Sequence, residues 1–324
     1  MKRRIILSLI GFVVVLAAVV VGGSLYLIDY ALVNHDERSD VNSRMERMLR
    51  EYPAVKPWID SLQANHALRD TFIVMANGER QHAVYVADPR ACGRTAVLVH
   101  GYHDSSVRML PIASIYSRMG YNILLPDLHA HGLSDGTDIQ MGWKDRLDVL
   151  RWMSVAEARF RTAAGPSRMV VHGVSMGAAT TMCVSGERQP AYVRCYVEDC
   201  GYTSVWDEFR HELRELFSLP PFPLLYTASG FCQLMYGWNF REASPLHQVA
   251  KSTKPMLFIH GDKDDFVPFD MLQPLYQAKT RPVDKQGRVE KEVWITPGVG
   301  HARSFMRFPE EYARKVRTFV GRYM

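Results

Sequence analysis

Residues Met169 to Ala179 read Met-Val-Val-His-Gly-Val-Ser-Met-Gly-Ala-Ala. A short apolar strand runs into a turn that carries a serine, and the small residues after it suit the start of a helix. Gly173 and Gly177 flank Ser175 at the Gly-x-Ser-x-Gly spacing of a nucleophile elbow. A serine that stands clear of a sheet needs a strained backbone. Side chains two positions to either side would then collide with the neighbouring strand and helix, and glycine removes those collisions. Three small fixed residues in five are a weak signal alone. The weight falls on the strand–turn–helix context and on what lies downstream.

The surrounding chain supplies that context. Thr95–Val99, Tyr121–Leu125, Arg168–Gly173, Val193–Val197, Met256–His260 and Val293–Thr296 are short apolar runs that read as strands. Helical patterns lie between them, over Ser105–Met119, Gly142–Phe160 and Met176–Val184, and Pro309–Tyr323 closes the chain. Strands of near-continuous apolar character alternating with amphipathic helices predict an α/β fold, a mostly parallel sheet covered on both faces. Thr71–Met75 and Gln81–Ala87, joined through Asn77-Gly78, are expected to add a hairpin at one edge. Between Tyr202 and Ser244 the rhythm breaks into helical, proline-rich and aromatic stretches. An inserted cap over about 203–245 is expected there, its underside forming an apolar pocket near the carboxyl edge of the sheet.

The N-terminus is different. Ile5 to Ile28 is an unbroken, uncharged run of 24 residues after the basic head Lys2-Arg3-Arg4. As a helix it rises about 36 Å, enough to cross a hydrocarbon layer of roughly 30 Å. The lipid bilayer is therefore an expected partner through residues 5–28, with the N-terminus cytoplasmic and the catalytic domain outside the cytoplasm. Secretion after cleavage near residues 21–24 is the alternative, although Gly22-Gly23-Ser24 runs on into further apolar residues. The expected organisation is an anchor over 1–28, a helical linker or flank over 29–75 and a main domain over 76–324. The linker includes a mixed helical stretch from Asn34 to Leu68, interrupted by Pro53 and Pro57.

The formal net charge is +5, and three of the positive charges belong to the head. The remainder is too little to argue for nucleic acid, and none is expected as a partner. Cys92, Cys183, Cys195, Cys200 and Cys232 form no Cys-x-x-Cys pair and no metal-ligand rhythm, so they read as core thiols, with a Cys195–Cys200 bridge as the rival reading.

Acyl transfer by a serine needs a base, a group that orients the base, and donors aimed at the developing oxyanion. After a nucleophile elbow the expected order is acid, then histidine. Downstream, Asp262, Asp264 and Asp265 crowd the end of the apolar strand Met256–His260, and His301 follows the last strand in the loop Pro297-Gly298-Val299-Gly300-His301.

These features together resemble the α/β-hydrolase superfamily, in its serine esterase, lipase and peptidase group. The motifs that carry the resemblance are His100-Gly101, the turn from Pro126 to Ser134, the elbow at Ser175, the His-Gly-x-x-Asp-x-x-Val-Pro block from His260 to Pro268, and Gly300-His301. Together they cover about residues 80 to 324. More closely the chain is similar to membrane-anchored bacterial members of unassigned substrate. The resemblance implies an α/β-hydrolase fold, Ser175 as nucleophile, His301 as base and Asp264 as acid, with Asp199 the alternative acid. It also implies an oxyanion hole made by the backbone N–H groups of Tyr102 and Met176.

His172 and His260 read as satisfied structural histidines, and His100 and His103 as flanks of the oxyanion loop. Asp127, His129 and His131 form an Asp-x-His-x-His string that lacks a fourth ligand at a recognisable spacing. No metal and no cofactor are expected. The expected activity is hydrolysis of a carboxylic ester with an apolar part, through an acyl-enzyme. The rivals are a serine peptidase or amidase acting on peptide with the same triad, a thioesterase or acyltransferase, and an inactive hydrolase-fold binding protein.

Overall fold

The computed structural model describes residues 2–35 and 41–324. Residues 36–40, within the stretch expected to be helical, lie outside the described residues. Contacts divide the chain into two compact units, one of residues 1–33 and 204–243, the other of residues 34–203 and 244–324.

The smaller unit begins with helix α1 (Lys2–Leu32), which runs one further turn beyond Ile28, where the apolar run ends at Asp29. In the larger unit, α2 (Val41–Glu51) and α3 (Lys56–Ala64) are separated by a short 3-10 turn at Pro53–Val55. The two prolines expected to interrupt this region stand in the first turns of the 3-10 and α3 elements, where a missing N–H costs nothing. The edge hairpin follows as β1 (Leu68–Val74) and β2 (Arg80–Val86).

The alternation then begins with β3 (Arg94–Val99), α4 (Leu110–Arg118), β4 (Asn122–Pro126), α5 (Asp145–Phe160), β5 (Arg168–Val174), α6 (Met176–Ser185) and β6 (Val193–Asp199). Two helices start later than their patterns suggest. Pro111 cannot sit inside a helix running from Ser105, so residues Ser106–Met109 form a 3-10 turn and α4 starts anew with Pro111 in its first turn. Met141 and Gly142 have φ of 47° and 77°, and α5 begins only at Asp145, whose carboxylate accepts the Gly142 N–H at 2.8 Å.

The inserted segment forms α7 (Val205–Phe217) and α8 (Leu224–Tyr236). Beyond it come α9 (Pro245–Lys251), β7 (Met256–Gly261), α10 (Leu272–Ala278), β8 (Lys291–Thr296), α11 (Ser304–Arg307) and α12 (Pro309–Val320). The eight strands among the described residues share one sheet in the order β1-β2-β4-β3-β5-β6-β7-β8. The two contacts made by β2 are antiparallel and the rest are parallel.

The central strands β3, β5 and β7 are buried along nearly their whole length, as parallel strands covered on both faces must be. β8 is an edge strand and alternates instead, leaving Val293 and Ile295 exposed. Within the smaller unit, backbone bonds from Val205 to Ala243 and from Trp206 to Phe240 close the base of the α7–α8 hairpin. The Ser204 side chain caps α7 by accepting the Asp207 N–H at 3.0 Å. The five cysteines are free thiols, and four of them are buried.

Glu198 lies wholly buried near the end of β6, accepting the Gly201 N–H at 3.0 Å. Burial pushes its carboxyl up from 4.5 to about 8. Because the folded value exceeds the unfolded one, the stability this group supports is full below the unfolded value and falls as pH rises towards and through 8. Glu198→Gln keeps an acceptor for Gly201 and removes the titration. Thermal melts should therefore show the variant gaining on the wild type from about pH 5 to about pH 9. A difference that does not change with pH would contradict the buried-carboxyl account.

Candidate active site

β5 delivers Ser175 and α6 carries the chain away, so the serine occupies a one-residue corner with φ 57° and ψ −122°. An L-residue does not adopt this backbone without strain. The flanking glycines are what permit it. A Cβ on Gly173 would lie 2.0 Å from the Gly177 carbonyl oxygen, and one on Gly177 would lie 2.1 Å from that of Val99. The Ser175 N–H donates to the Asp199 carbonyl at 2.8 Å, which fixes the corner against β6.

His301, in the loop between β8 and α11, reaches this corner. Its Nε2 lies 2.8 Å from Ser175 Oγ, and its Nδ1 lies 2.9 Å from Asp264 Oδ2. With Nδ1–H donating to the carboxylate, Nε2 is left to accept the serine proton. Asp264, in the turn after β7, also accepts the N–H groups of Phe266 and Val267 through Oδ1, at 3.2 and 3.0 Å. Burial would raise its carboxyl, but the hydrogen bonds with His260 and His301 outweigh burial and hold it below the ordinary carboxylate range. The Asp264 carboxylate is ionised, oriented and buried.

Asp199, the alternative acid, lines the same cavity but bonds a different partner. Its Oδ2 accepts from the Tyr312 hydroxyl at 2.9 Å, and Asp264 takes the His301 Nδ1 position. Burial raises the Asp199 carboxyl to about 6. The Tyr312 oxygen in turn receives His172 Nε2–H at 2.9 Å, and His172 Nδ1 accepts from Tyr116 at 3.0 Å. Burial pushes His172 down to about 3, so this chain of bonds holds a neutral imidazole. His172 braces the floor under the site, and the Tyr312 end of that chain could not be read from spacing.

The expected oxyanion donors lie on either side of the serine. Met176 opens α6, where the first N–H groups have no acceptor within the helix. Tyr102 follows Gly101, whose position is so close that a Cβ there would sit 3.4 Å from Ser175 Cβ. His100 aims this loop. Its Nε2 accepts the Leu128 N–H at 3.0 Å, so the proton sits on Nδ1, which donates to the Gly101 carbonyl at 2.7 Å. A planar trans peptide points its N–H opposite its C=O. Holding the Gly101 oxygen therefore sets the direction of the Tyr102 N–H. Burial lowers the His100 ring, which keeps it neutral.

The Asp127–His131 string is similarly occupied by protein partners. Asp127 accepts the N–H groups of Ser106 and Leu133 at 2.6 and 2.9 Å and pairs with His82 at 2.6 Å. His131 donates to the His129 carbonyl and accepts from the His103 N–H, at 2.8 and 3.2 Å. These residues tie the turn after β4 to the oxyanion loop. Ligand atoms of Cys200, Asp264 and His301 approach within 4.8 Å of one another. Both ring nitrogens of His301 are already engaged there, and burial pushes the Cys200 thiol up, so this donor set suits proton transfer rather than a metal.

A cavity of about 220 Å³ opens at Ser175 and His301. Apolar walls come from residues such as Ile112, Val174 and Phe305, with Tyr52 and Tyr102 beside them. Asp104 and Arg108 add a polar side, and sequence reasoning missed both. Arg108 bonds Glu51 at 2.8 Å and approaches Asp104 at 3.4 Å. All the lining residues belong to the larger unit. The cavity walls come from the loops after β3 and β8, the start of α4, the ends of β5 and β6, and Tyr52 after α2.

Residues 112–324, which contain Ser175, Asp264 and His301, match the prolyl oligopeptidase family (Peptidase_S9). The chain belongs to that family. It is a hydrolase of the α/β fold, from the superfamily that holds esterases and peptidases. Among its relatives, the uncharacterized protein YqkD of Bacillus subtilis is 29% identical over 73% of this chain and 74% of that protein. The α/β hydrolase domain-containing protein WAV2 of Arabidopsis thaliana is 23% identical over 80% of this chain and 84% of its own length. Among solved structures, the esterase Pf2001 of Pyrococcus furiosus shares the fold with a TM-score of 0.63 and 24% identity, covering 79% of this chain and 93% of that one.

The geometry separates the two acids and isolates the role of His100. Asp264→Asn should lower kcat by a factor on the order of 10⁴, because it disturbs the tautomer of the base, while Asp199→Asn should cost far less. Equal losses would contradict the assignment. His100→Phe should lower kcat by roughly 10²-fold with little change in KM, as misaiming one oxyanion donor does. A change confined to KM or to thermal stability would remove His100 from the site's support.

Proposed function

We propose that the protein is a serine hydrolase that cleaves carboxylic esters bearing an apolar group, by way of an acyl-enzyme. The observation that carries this reading is the continuous hydrogen-bonded line from Ser175 Oγ through His301 to Asp264, at 2.8 and 2.9 Å. Ser175 Oγ attacks the substrate carbonyl carbon as its proton passes to His301 Nε2. The carbonyl oxygen takes the negative charge, which the N–H groups of Tyr102 and Met176 stabilise. Collapse breaks the bond to the leaving alcohol, which takes the proton from Nε2. Water then attacks the acyl-enzyme by the same route in reverse, and the acid product leaves. Asp264 stays ionised throughout and stabilises the imidazolium. An inactive binding protein would have no need to preserve this line, least of all at a strained serine.

A second reading has one observation in its favour. Asp104 places a carboxylate on the cavity wall beside Tyr52, an arrangement that suits the free amino terminus of a peptide. The same machinery would then cleave an aminoacyl amide.

For the chain as a whole, α1 would span the bilayer with Lys2, Arg3 and Arg4 on the cytoplasmic side. Retention of this helix is supported by its packing. Ser24 is buried and its hydroxyl donates to the Leu224 carbonyl at 3.1 Å, so cleavage near residues 21–24 would strip α8 of a partner.

A fluorophosphonate should label the wild type and leave Ser175→Ala unlabelled. Labelling of both would end the serine mechanism. On an acyl-length series, turnover should favour chains that fit the small cavity and fall as they outgrow it. Comparing p-nitrophenyl esters with aminoacyl p-nitroanilides then separates the two readings. If the amide reading holds, Asp104→Asn should depress anilide turnover selectively. If the ester reading holds, both proteins should prefer the ester.

A further inference from the structure

No charged residue occurs from Leu216 to Phe240, a stretch that covers the end of α7, the connecting loop and all of α8. The contrast with α7 is sharp, since Asp207, Glu208, Arg210, Glu212, Arg214 and Glu215 precede it within ten residues. A loop facing water ordinarily carries polar residues. This one reads Ser-Leu-Pro-Pro-Phe-Pro, and it leaves Leu219 and Phe222 exposed beside Leu216 at the last turn of α7. Phe222 is 71% exposed.

The place of this tip along α1 gives it meaning. Phe217 packs edge-on to Tyr26 and Tyr30, with ring centroids 6.4 and 5.7 Å apart. Leu224 meets α1 at Gly23 and Ser24, where a Cβ on Gly23 would touch its side chain at 3.0 Å. The tip is thus pinned from both sides at the level of residues 23–30, where the apolar run of α1 ends. Two tyrosines at that level are what an interfacial aromatic belt provides. The direction of α8 is fixed as well. The buried residues of α1 are Ser24, Ile28 and Leu32, while the turns before Val19 are bare. α8 therefore packs on the last turns of α1 and climbs away from the bare segment, leaving the Leu216–Pro223 tip on the side that faces it.

We infer that the α7–α8 tip is a second membrane contact, with Leu216, Leu219 and Phe222 inserted into the headgroup–acyl boundary of the bilayer beside α1. The inference rests on the reading of α1 as a spanning helix. It assigns the tip to lipid because its exposed apolar residues continue, at the same level, the surface that α1 presents to the acyl chains. The anchor is then more than a tether. Two points of attachment restrict rotation of the smaller unit about the α1 axis, as one helix alone does not.

The test uses the full chain in phospholipid vesicles, with Cys92, the exposed thiol, replaced by serine. A single environment-sensitive fluorophore is placed in turn at Val13→Cys in the bare part of α1, at Phe222→Cys, and at Arg210→Cys, two turns back along α7. Quenchers are nitroxides at shallow and deep acyl positions and iodide in the water. The Phe222 label should emit at shorter wavelength than the Arg210 label and lose more than half of its fluorescence to the shallow nitroxide. The Val13 label should respond most to the deep nitroxide, and the Arg210 label to iodide alone. A Phe222 label that behaves like Arg210 while Val13 is lipid-quenched overturns the tip contact and leaves the spanning helix standing. If Val13 is quenched by iodide too, both fall. A Phe222 label shielded from every quencher, with energy transfer between copies, gives the surface to a second chain and also overturns the inference. Leu219→Glu with Phe222→Cys supplies an independent check, because a charge at the tip should shift the label towards iodide without moving the Val13 signal.

Discussion

The site depends on one strained residue. Ser175 holds φ at 57° and ψ at −122°, a conformation that a polypeptide keeps only when its surroundings over-determine it. Here they do. β5 enters under the full ladder of a parallel sheet, the Ser175 N–H is taken by the Asp199 carbonyl, and α6 leaves at once over Gly177. Clearances near 2 Å at Gly173 and Gly177 leave no room for any other residue type. The strain turns the hydroxyl into the cavity, where the His301 imidazole approaches from a separate loop.

Around that hydroxyl, the supporting histidines share one logic. His100, His131 and His172 are buried, neutral and used as two-ended connectors between backbone or hydroxyl groups. His301 differs because one of its ends meets an ionised carboxylate and the other a hydroxyl able to give up a proton. Environment, and not residue type, separates the bracing histidines from the one proposed as base.

Much of this was legible in the sequence. The apolar runs gave the parallel strands because burial on both faces leaves no polar positions, and the elbow was visible because its glycines are sterically required. The order of acid and base followed from the resemblance, and the structure puts Asp264 Oδ2 2.9 Å from His301 Nδ1. The remainder depended on contacts distant in the chain. Tyr312 lies 140 residues from the histidine it binds, and no local pattern announces such a pair. Asp104 and Arg108 looked like an ordinary helix start until the 3-10 turn brought them to the cavity. The contacts of the insertion with α1 were equally hidden, because its apolar residues were read as facing a substrate and Ser24 and Tyr30 lie about two hundred residues from their partners.

The central claim is that an acyl group passes through Ser175. Stopped-flow mixing with a short-chain p-nitrophenyl ester, followed by acid quench and peptide mass mapping, tests it most directly. The account predicts a burst of nitrophenol stoichiometric with enzyme and an acyl adduct on the peptide that contains Ser175. Turnover with no burst and no adduct, or with the adduct on another residue, would contradict it.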